Sequence, residues 1–122
     1  MRKKVLLIDD EEAFLALIKD SLEMRGIEVV TALSAIEAGI QLADKKPDLI
    51  LMDIKMPGIN GIQACEAIKR NPETKNLPII IISALSDEAD KKKAFTAGVL
   101  EYFVKPVDIE SLVKKIKEVL GA

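Results

Sequence analysis

Three aspartates follow runs of apolar residues that are typical of buried strands. Asp9 and Asp10 end the run VLLIDD, and Asp53 ends the run DLILMD. In a parallel sheet with helices between its strands, the carboxyl ends of all strands lie along one edge, where open α/β sheets bind their ligands. The three carboxylates are therefore expected to converge and to repel one another. A hard divalent cation with oxygen ligands compensates such charge, and we expect Mg²⁺.

Two further polar residues stand at the ends of predicted strands on the same edge. Ser83 follows the apolar run Ile79 to Ile82, and Lys105 follows the last predicted strand. A metal-binding acid pair, a third carboxylate, a hydroxyl and an ammonium in one crevice suit phosphoryl transfer. Asp53 is the candidate nucleophile towards phosphorus. The hydroxyl of Ser83 and the ammonium of Lys105 are suited to the phosphoryl oxygens.

Each of these residues also has a plainer interpretation. Asp9 and Asp10 are of a type common at helix N-caps, so they are also candidates for capping the first helix. Taken alone, Ser83 would be a solvated hydroxyl at a strand end and Lys105 a surface charge. The presence of Asp53 on a neighbouring strand favours metal binding by the acid pair over capping.

Strand and helix signals alternate along the whole chain and predict five βα units. Right-handed crossovers favour one doubly wound, five-stranded parallel sheet with helices on both faces. The common strand order for such a flavodoxin-like (βα)5 fold is 2-1-3-4-5, which places the first and third strands side by side at the switch point. The predicted strands are Val5 to Ile8, Ile27 to Thr31, Leu49 to Met52, Ile79 to Ile82 and Leu100 to Val104.

Caps and apolar periodicity predict the helices. Gly26 and Gly98 are predicted to end the first and fourth helices, and Ser34 with Glu37 forms a capping box for the second. The fourth helix is predicted to start at Ser86 and to bury little, so we expect it to be held loosely. The predicted buried stripes are Phe14, Leu17, Ile18, Ser21 and Leu22 in the first helix; Ile36, Ile40 and Ala43 in the second; Ile62, Cys65 and Ile68 in the third; and Ile109, Leu112, Val113, Ile116 and Leu120 in the fifth.

Length and composition predict one domain over residues 1–122, with a core of about 4–120. The chain has no histidine, which excludes Ser-His and Cys-His catalysis and imidazole metal sites. The net charge of −2 invites neither nucleic acid nor a membrane surface, and no apolar run is long enough to span a bilayer. Cys65 is the only cysteine, so we expect it to be a core residue in a cytoplasmic protein without internal disulfides. Because Arg2-Lys3-Lys4 leads directly into a short predicted strand, we expect no signal peptide.

Four segments together resemble the receiver domain of two-component response regulators, in particular single-domain, chemotaxis-regulator-like members. They are VLLIDDEE at the first strand, LILMDIKMPGINGI around the third, IIISAL at the fourth and EYFVKPV at the fifth. They occur in the family's order and at its distances, and the resemblance covers nearly the whole chain. Asn60 departs from the aspartate that many members carry in the turn after the third strand.

The resemblance implies a role for each matching acid. Asp53 is the phosphoacceptor, Asp10 a direct Mg²⁺ ligand and Asp9 a water-mediated one. The main-chain carbonyl of Lys55 is the third protein ligand that the resemblance implies, so the side chain of Lys55 need not bind metal.

The resemblance also implies a switch. Ser83 corresponds to the serine or threonine of the family, and Lys105 corresponds to its lysine. Tyr102 corresponds to the aromatic residue that changes position on phosphorylation. The resemblance further implies a cis peptide bond between Lys105 and Pro106, which Pro permits.

The function that the resemblance implies is a phosphorylation-controlled signalling switch rather than an enzyme. The phosphoryl group would come from a sensor histidine kinase or a phosphotransfer protein, with Mg²⁺-dependent phosphorylation and autodephosphorylation supported by the domain itself. The face formed by the fourth helix, fifth strand and fifth helix would signal to a downstream protein target. We expect a monomer or weak dimer that binds no nucleic acid and no membrane.

Three other functions are compatible with the fold. A small phosphatase with an aspartyl phosphate usually has a second acid two residues after the nucleophile, where this chain has Lys55. A flavin-binding protein needs a phosphate loop rich in Ser, Thr and Gly after the first strand, where this chain has Asp-Asp-Glu-Glu. A receiver-like module that ignores phosphate would not need the complete set of site residues. Whether the chain acts alone or belongs to a longer regulator stays open.

Overall fold

The computed structural model describes residues 2–121, without the side chain of Ile59, and within them five parallel strands form one sheet. The strand order is β2-β1-β3-β4-β5, which confirms the predicted fold class. The ends of the predicted domain, Met1 and Ala122, lie outside the described residues. The strands are β1 (Lys4–Ile8), β2 (Glu28–Ala32), β3 (Leu49–Met52), β4 (Ile79–Ser83) and β5 (Glu101–Val104).

Helices cover both faces of the sheet. Alternate strand residues supply two cores: Val5 and Leu7 pack towards α1 and α5, and Leu6 and Ile8 pack towards α2, α3 and α4. Burial on both faces explains why the strands are continuous apolar runs. Within residues 2–121, no helix is long and apolar enough to cross a membrane. The helices are α1 (Glu12–Glu23), α2 (Ala35–Lys45), α3 (Gly61–Arg70), α4 (Glu88–Thr96) and α5 (Ile109–Leu120).

Gly26 and Gly98 close the last turns of α1 and α4, as predicted. Their φ angles are +81° and +103°, in the left-handed region that glycine tolerates best. After α1, the amide of Ile27 donates to the carbonyl of Leu22 and that of Gly26 to the carbonyl of Glu23, each at 3.1 Å. This is a Schellman turn, and the same bond pattern follows α4.

The predicted buried stripe of α2 is wrong. Ile36 and Ile40 are 80% and 56% exposed, and Ala43 is exposed as well. Ala38 and Leu42 face the sheet instead. The helix lies against β1 and β2 through this face. Ala38 and Leu42 have the same helical spacing as Ile36 and Ile40. A prediction from spacing and side-chain size therefore chooses the wrong face.

The other helices need smaller corrections. In α1, Leu17 is 52% exposed and Leu15 is buried beside Ile18. The start of α4 is also wrong, because the helix begins at Glu88 rather than at Ser86. The predicted cap of α2 is present, since Ser34 Oγ accepts from the amide of Glu37 at 3.2 Å. The buried face of α5 is confirmed, and so is burial of Cys65 in α3.

A hairpin of two short strands over residues 55–60 connects β3 to α3. The side chain of Asn60 accepts from the amide of Gln63 at 3.2 Å and caps α3, a position at which asparagine is preferred. A Cβ at Gly61 would overlap the backbone of Ile54, so only glycine permits this contact. The start of α3 is thereby held directly against the residue that follows Asp53.

We predict that Cys65 is unreactive in the folded protein. It is completely buried, and burial raises the pKa of its thiol from the ordinary value of 9.0 to about 11. Iodoacetamide at neutral pH should therefore leave the folded chain unlabelled and modify it once in denaturant. Cys65→Ser should lower the free energy of unfolding by about 1–3 kcal/mol, because it buries a hydroxyl. Rapid labelling of the folded chain would contradict this burial.

Candidate functional site

Polar side chains from four strands meet at the carboxyl edge of the sheet. Asp9 follows β1, Asp53 follows β3, Ser83 ends β4 and Lys105 follows β5. Parallel strands place all four positions on the same edge. Asp9, Asp53 and Ser83 are only 1%, 5% and 0% exposed. Burial of such groups requires polar partners, and each of the three has one.

The ammonium of Lys105 binds three carboxylates at once. Its Nζ donates to Asp9 Oδ2 at 2.8 Å, to Glu11 Oε1 at 2.7 Å and to Asp53 Oδ2 at 3.2 Å. It also lies 4.4 Å from the centroid of the Phe14 ring, a cation–π contact. Burial by itself lowers the pKa of Lys105, but the hydrogen bonds to Asp9 and Glu11 outweigh it and raise the pKa above its ordinary value.

Backbone amides orient the two buried carboxylates. Asp9 Oδ1 accepts from the amide of Glu11 at 3.0 Å, and Asp53 Oδ1 accepts from the amide of Lys55 at 2.8 Å. Burial raises the pKa of Asp9 and outweighs the opposing effect of its bonds to Lys105 and Glu11. Each carboxylate thus has one oxygen on a backbone amide and the other on Lys105, so both are oriented in advance of any reaction.

Asp9, Asp10 and Asp53 could hold a metal ion together. Each offers a carboxylate oxygen, and these oxygens lie within 4.8 Å of one another. With Glu11, the crevice holds four carboxylates and the single ammonium of Lys105, so it keeps an excess of negative charge. Hard oxygen donors and excess negative charge fit Mg²⁺. Asp10 is exposed, so the metal site is open to water on that side.

Ser83 and Tyr102 are joined through the backbone of Leu85. The amide of Leu85 donates to Ser83 Oγ at 3.2 Å, and the hydroxyl of Tyr102 donates to the carbonyl of Leu85 at 2.7 Å. Tyr102 lies on the edge strand β5, and burial raises the pKa of its hydroxyl. The side chains of Ser83 and Tyr102 therefore bind the same residue of the loop before α4.

Two residues of this site, Glu11 and Phe14, are not among the predicted ones. Phe14 is expected only in the core of α1, although a spacing of three residues places it beside Glu11 on the first turn. The capping alternative for Asp9 and Asp10 is wrong, because the N-cap of α1 is Glu11. The peptide bond between Lys105 and Pro106 is cis, as the resemblance implies.

Excess negative charge should destabilise the metal-free protein. Asp53→Asn removes one charge and keeps an acceptor for the amide of Lys55, so it should raise the free energy of unfolding by about 1–2 kcal/mol in EDTA. Lys105→Met leaves buried carboxylates unpaired and should lower it by about 3 kcal/mol. Thermal melts measure both changes. Glu12→Gln, the loss of an exposed charge, is the control, and a less stable Asp53→Asn variant would refute charge crowding.

Comparison with known proteins gives a family match along most of the chain. A family model described as the response regulator receiver domain matches residues 5–117. Phosphate regulon transcriptional regulatory protein PhoB of Rhizobium meliloti (strain 1021) is 37% identical over 120 residues, which are 98% of this chain and 53% of PhoB. Protein PilH of Pseudomonas aeruginosa is 38% identical over 119 residues, which are 97% of this chain and 98% of PilH.

A solved structure shows the same agreement. The CheY-like response regulator receiver domain protein from Methanospirillum hungatei JF-1 superposes with a TM-score of 0.91 at 30% sequence identity, covering 99% of this chain and 95% of that one. The relatives differ in length. This chain spans about half the length of the first curated relatives that it matches, and nearly all of PilH.

Proposed function

We propose, from the fact that this chain belongs to the response regulator receiver domain family, that it is a signalling switch controlled by phosphorylation of Asp53. Receiver domains act with histidine kinases or phosphotransfer proteins and with downstream targets. The observation that carries the proposal is the surroundings of Asp53. It is a buried carboxylate at the end of a central strand, with Lys105 Nζ at 3.2 Å and oxygens of Asp9 and Asp10 within 4.8 Å.

The proposed reaction transfers a phosphoryl group from a phosphohistidine. A carboxylate oxygen of Asp53 forms a bond to phosphorus while the phosphorus–nitrogen bond breaks, and the imidazole leaves with the electron pair of that bond. Lys105 stands beside Asp53 Oδ2 and is placed to donate to a phosphoryl oxygen. The amide of Lys55 holds the other oxygen, which limits rotation of the carboxylate.

We assign the metal ligands by position. Asp10, Asp53 and the main-chain carbonyl of Lys55 would bind Mg²⁺ directly, and Asp9 would bind through water. Phosphorylation replaces the single negative charge of the Asp53 carboxylate with a phosphoryl group that carries about two, so a crevice that already holds an excess gains about one more negative charge. Bound Mg²⁺ would supply the neutralisation that this charge and the phosphoryl oxygens require. The residues present support this role, since all of them offer oxygen donors.

The contacts of Leu85 support a route from phosphorylation to the surface. A phosphoryl group on Asp53 offers strong acceptors to the Ser83 hydroxyl. If Ser83 turns towards them, the amide of Leu85 loses its acceptor and the loop before α4 shifts. The carbonyl that Tyr102 binds moves with that loop, which frees Tyr102 to change rotamer. The face formed by α4, β5 and α5 would then present the changed state to a downstream protein target.

Weak packing of α4 supports its part in the switch. Among its described side chains, Ala94 is the one that is buried, and Phe95 remains 46% exposed. A helix that buries so little apolar surface is displaced at small free-energy cost. By contrast, Ile79 to Ile82 in β4 are at most 1% exposed. The strand that precedes α4 is therefore not easily displaced.

A groove beside Lys105 supports docking of the phosphoryl donor. Its volume is about 460 Å³, and it lies between the first turn of α1 and the loop before α5. Leu17 is 52% exposed at its rim. Apolar surface next to a charged site is typical of protein contacts. The lining residues include Phe14, Leu17, Pro106, Val107 and Ile109.

The remaining parts of the proposal follow from family membership. We propose one receiver domain over residues 1–122, with a core of about 4–120. The domain works in the cytoplasm as a monomer or weak dimer and binds neither nucleic acid nor membrane. It supports its own phosphorylation and autodephosphorylation and acts on no other substrate.

Asp53 should be the single residue that acetyl phosphate modifies, and the reaction should require Mg²⁺. Intact-mass spectrometry should show one phosphoryl group in the parent and none in Asp53→Ala, and hydroxylamine should remove it, as it does from an acyl phosphate. Asp10→Asn should slow labelling at least tenfold at limiting Mg²⁺, since it removes a metal ligand. Stoichiometric labelling of Asp53→Ala would place the nucleophile elsewhere and end the proposal.

Ser83→Ala should leave phosphorylation of Asp53 possible but weaken the structural change that follows it in α4 and β5. The variant keeps Asp53, Lys105 and the metal ligands, so a beryllofluoride complex, which stands in for the phosphoryl group, should still form. Because the hydroxyl is missing, amide NMR shifts in α4 and β5 should be much smaller than in the parent. Ser86→Ala, in the loop that follows Ser83, is the matched control and should respond like the parent. Equal shifts in Ser83→Ala would show that the hydroxyl is not the trigger.

A further inference from the structure

Glu11 is a site residue whose type helix capping does not explain. It occupies the N-cap of α1, where Ser, Thr, Asp and Asn are preferred, and its side chain makes no capping hydrogen bond. Its carboxylate reaches across the crevice instead and accepts from Lys105 Nζ at 2.7 Å, over a separation of 94 residues. Phe14, one turn further along α1, packs against the same ammonium. Glutamate is longer than the usual N-cap residues, and this length allows its carboxylate to reach Lys105.

The contact with Glu11 occupies an N–H donor of Lys105 that a phosphoryl group needs. An ammonium has three N–H donors, and Lys105 directs them at three carboxylates, those of Asp9, Glu11 and Asp53. While the phosphoryl donor approaches, Asp53 is still a carboxylate, and an oxygen of the incoming phosphoryl group requires one of these three donors. Lys105 must therefore give up a carboxylate before it stabilises the phosphoryl group.

Exposure determines which carboxylate Lys105 gives up. The side chains of Asp9 and Asp53 are 1% and 6% exposed, so water cannot readily replace the lysine there. The side chain of Glu11 is 62% exposed. Its carboxylate becomes hydrated as soon as it separates from Lys105, at small cost. Asp9 and Asp53 are also held by backbone amides, which keeps them in place.

We propose that Glu11 is a positioning residue that holds Lys105 in the resting state and thereby slows phosphorylation of Asp53. Glu11 competes with the incoming phosphoryl group for one N–H of Lys105 and is the partner that is released. It makes no contact with the reacting atoms and acts through the lysine. The inference rests on the proposed function, since it concerns the rate of the same phosphoryl transfer.

The test compares three variants in labelling by acetyl phosphate with Mg²⁺. In this reaction an oxygen of Asp53 bonds to phosphorus, the bond from phosphorus to the acetyl oxygen breaks, and acetate leaves with the electron pair. Glu11→Gln removes the charge that binds Lys105. Glu11→Asp keeps the charge but is one methylene shorter. Glu12→Gln is the control, because it removes one exposed charge from the next residue, which forms no ion pair with Lys105 within residues 2–121.

Glu11→Gln should be labelled about two- to fivefold faster than Glu12→Gln, the factor that loss of a partly exposed ion pair implies. Glu11→Asp should also be faster than the parent, although its charge is unchanged. Its melting temperature should equal or exceed the parent's, because aspartate is a good N-cap residue. Beryllofluoride with Mg²⁺ provides an equilibrium readout, and its affinity should rise in both Glu11 variants by a similar factor.

Each outcome decides between competition and its alternatives. Equal acceleration in Glu11→Gln and Glu12→Gln, with none in Glu11→Asp, would show general repulsion of the anionic donor and overturn the inference, while Asp53 stays the phosphoacceptor. Slower labelling of both Glu11 variants would overturn it too, because Glu11 would then hold Lys105 in its productive position. A parent chain that is not labelled at Asp53 would refute the proposed function, and this inference with it.

Discussion

The ion pairs of Lys105 with the buried carboxylates of Asp9 and Asp53 are the interaction on which the site depends. They link β5 to β1 and β3 across the carboxyl edge of the sheet, at distances of 2.8 and 3.2 Å. Buried ion pairs add little net stability, because desolvation offsets much of their attraction, but removing the shared lysine would leave two buried carboxylates unpaired, which is costly. The pairs therefore act mainly by selecting the one arrangement of strand ends in which every buried charge has a partner.

The same edge combines a rigid part with a loosely held part. The strands β3 and β4 are buried on both faces, so the positions of Asp53 and Ser83 are set by close packing. The loop after β4 and α4 have few buried side chains and are connected to the site through Leu85. In the proposed switch, a change of charge at Asp53 would consequently be relieved in the loop and in α4, while the sheet keeps its geometry. Signalling requires this asymmetry, because a partner must read a change on the surface.

Charge balance connects the metal, the phosphoryl group and the lysine. The resting crevice contains four carboxylates, and of the three that bind the ammonium of Lys105, Glu11 is the most exposed. Phosphorylation and metal binding each alter this balance. A side chain at the rim, with water available to it, can exchange a partner cheaply, whereas a buried one cannot. The buried acids Asp9 and Asp53 therefore define the geometry of the site. The exposed Glu11 would instead adjust the rate at which Asp53 is phosphorylated.

The sequence by itself determined the fold and the gathering of the polar groups. Apolar runs buried on both faces and ended by polar residues specify parallel strands, and parallel strands bring Asp9, Asp53, Ser83 and Lys105 to one edge. The structure brings these residues together as predicted, and their chemical roles remain predictions. The motifs at four strand ends were sufficient for the family, because they lie at fixed points of that topology.

Only the tertiary structure decided which face of α2 is buried and which carboxylates Lys105 binds. Ile36 and Ile40 have the spacing of a buried stripe, but the packing of α2 on β1 and β2 buries Ala38 and part of Leu42 instead. The contact between Glu11 and Lys105 joins residues 94 apart, and it depends on where α1 begins and on how far each side chain extends. Local patterns carry no information about such distances. The physical reason is that periodicity records which residues can be buried, whereas packing and long-range charge determine which ones are.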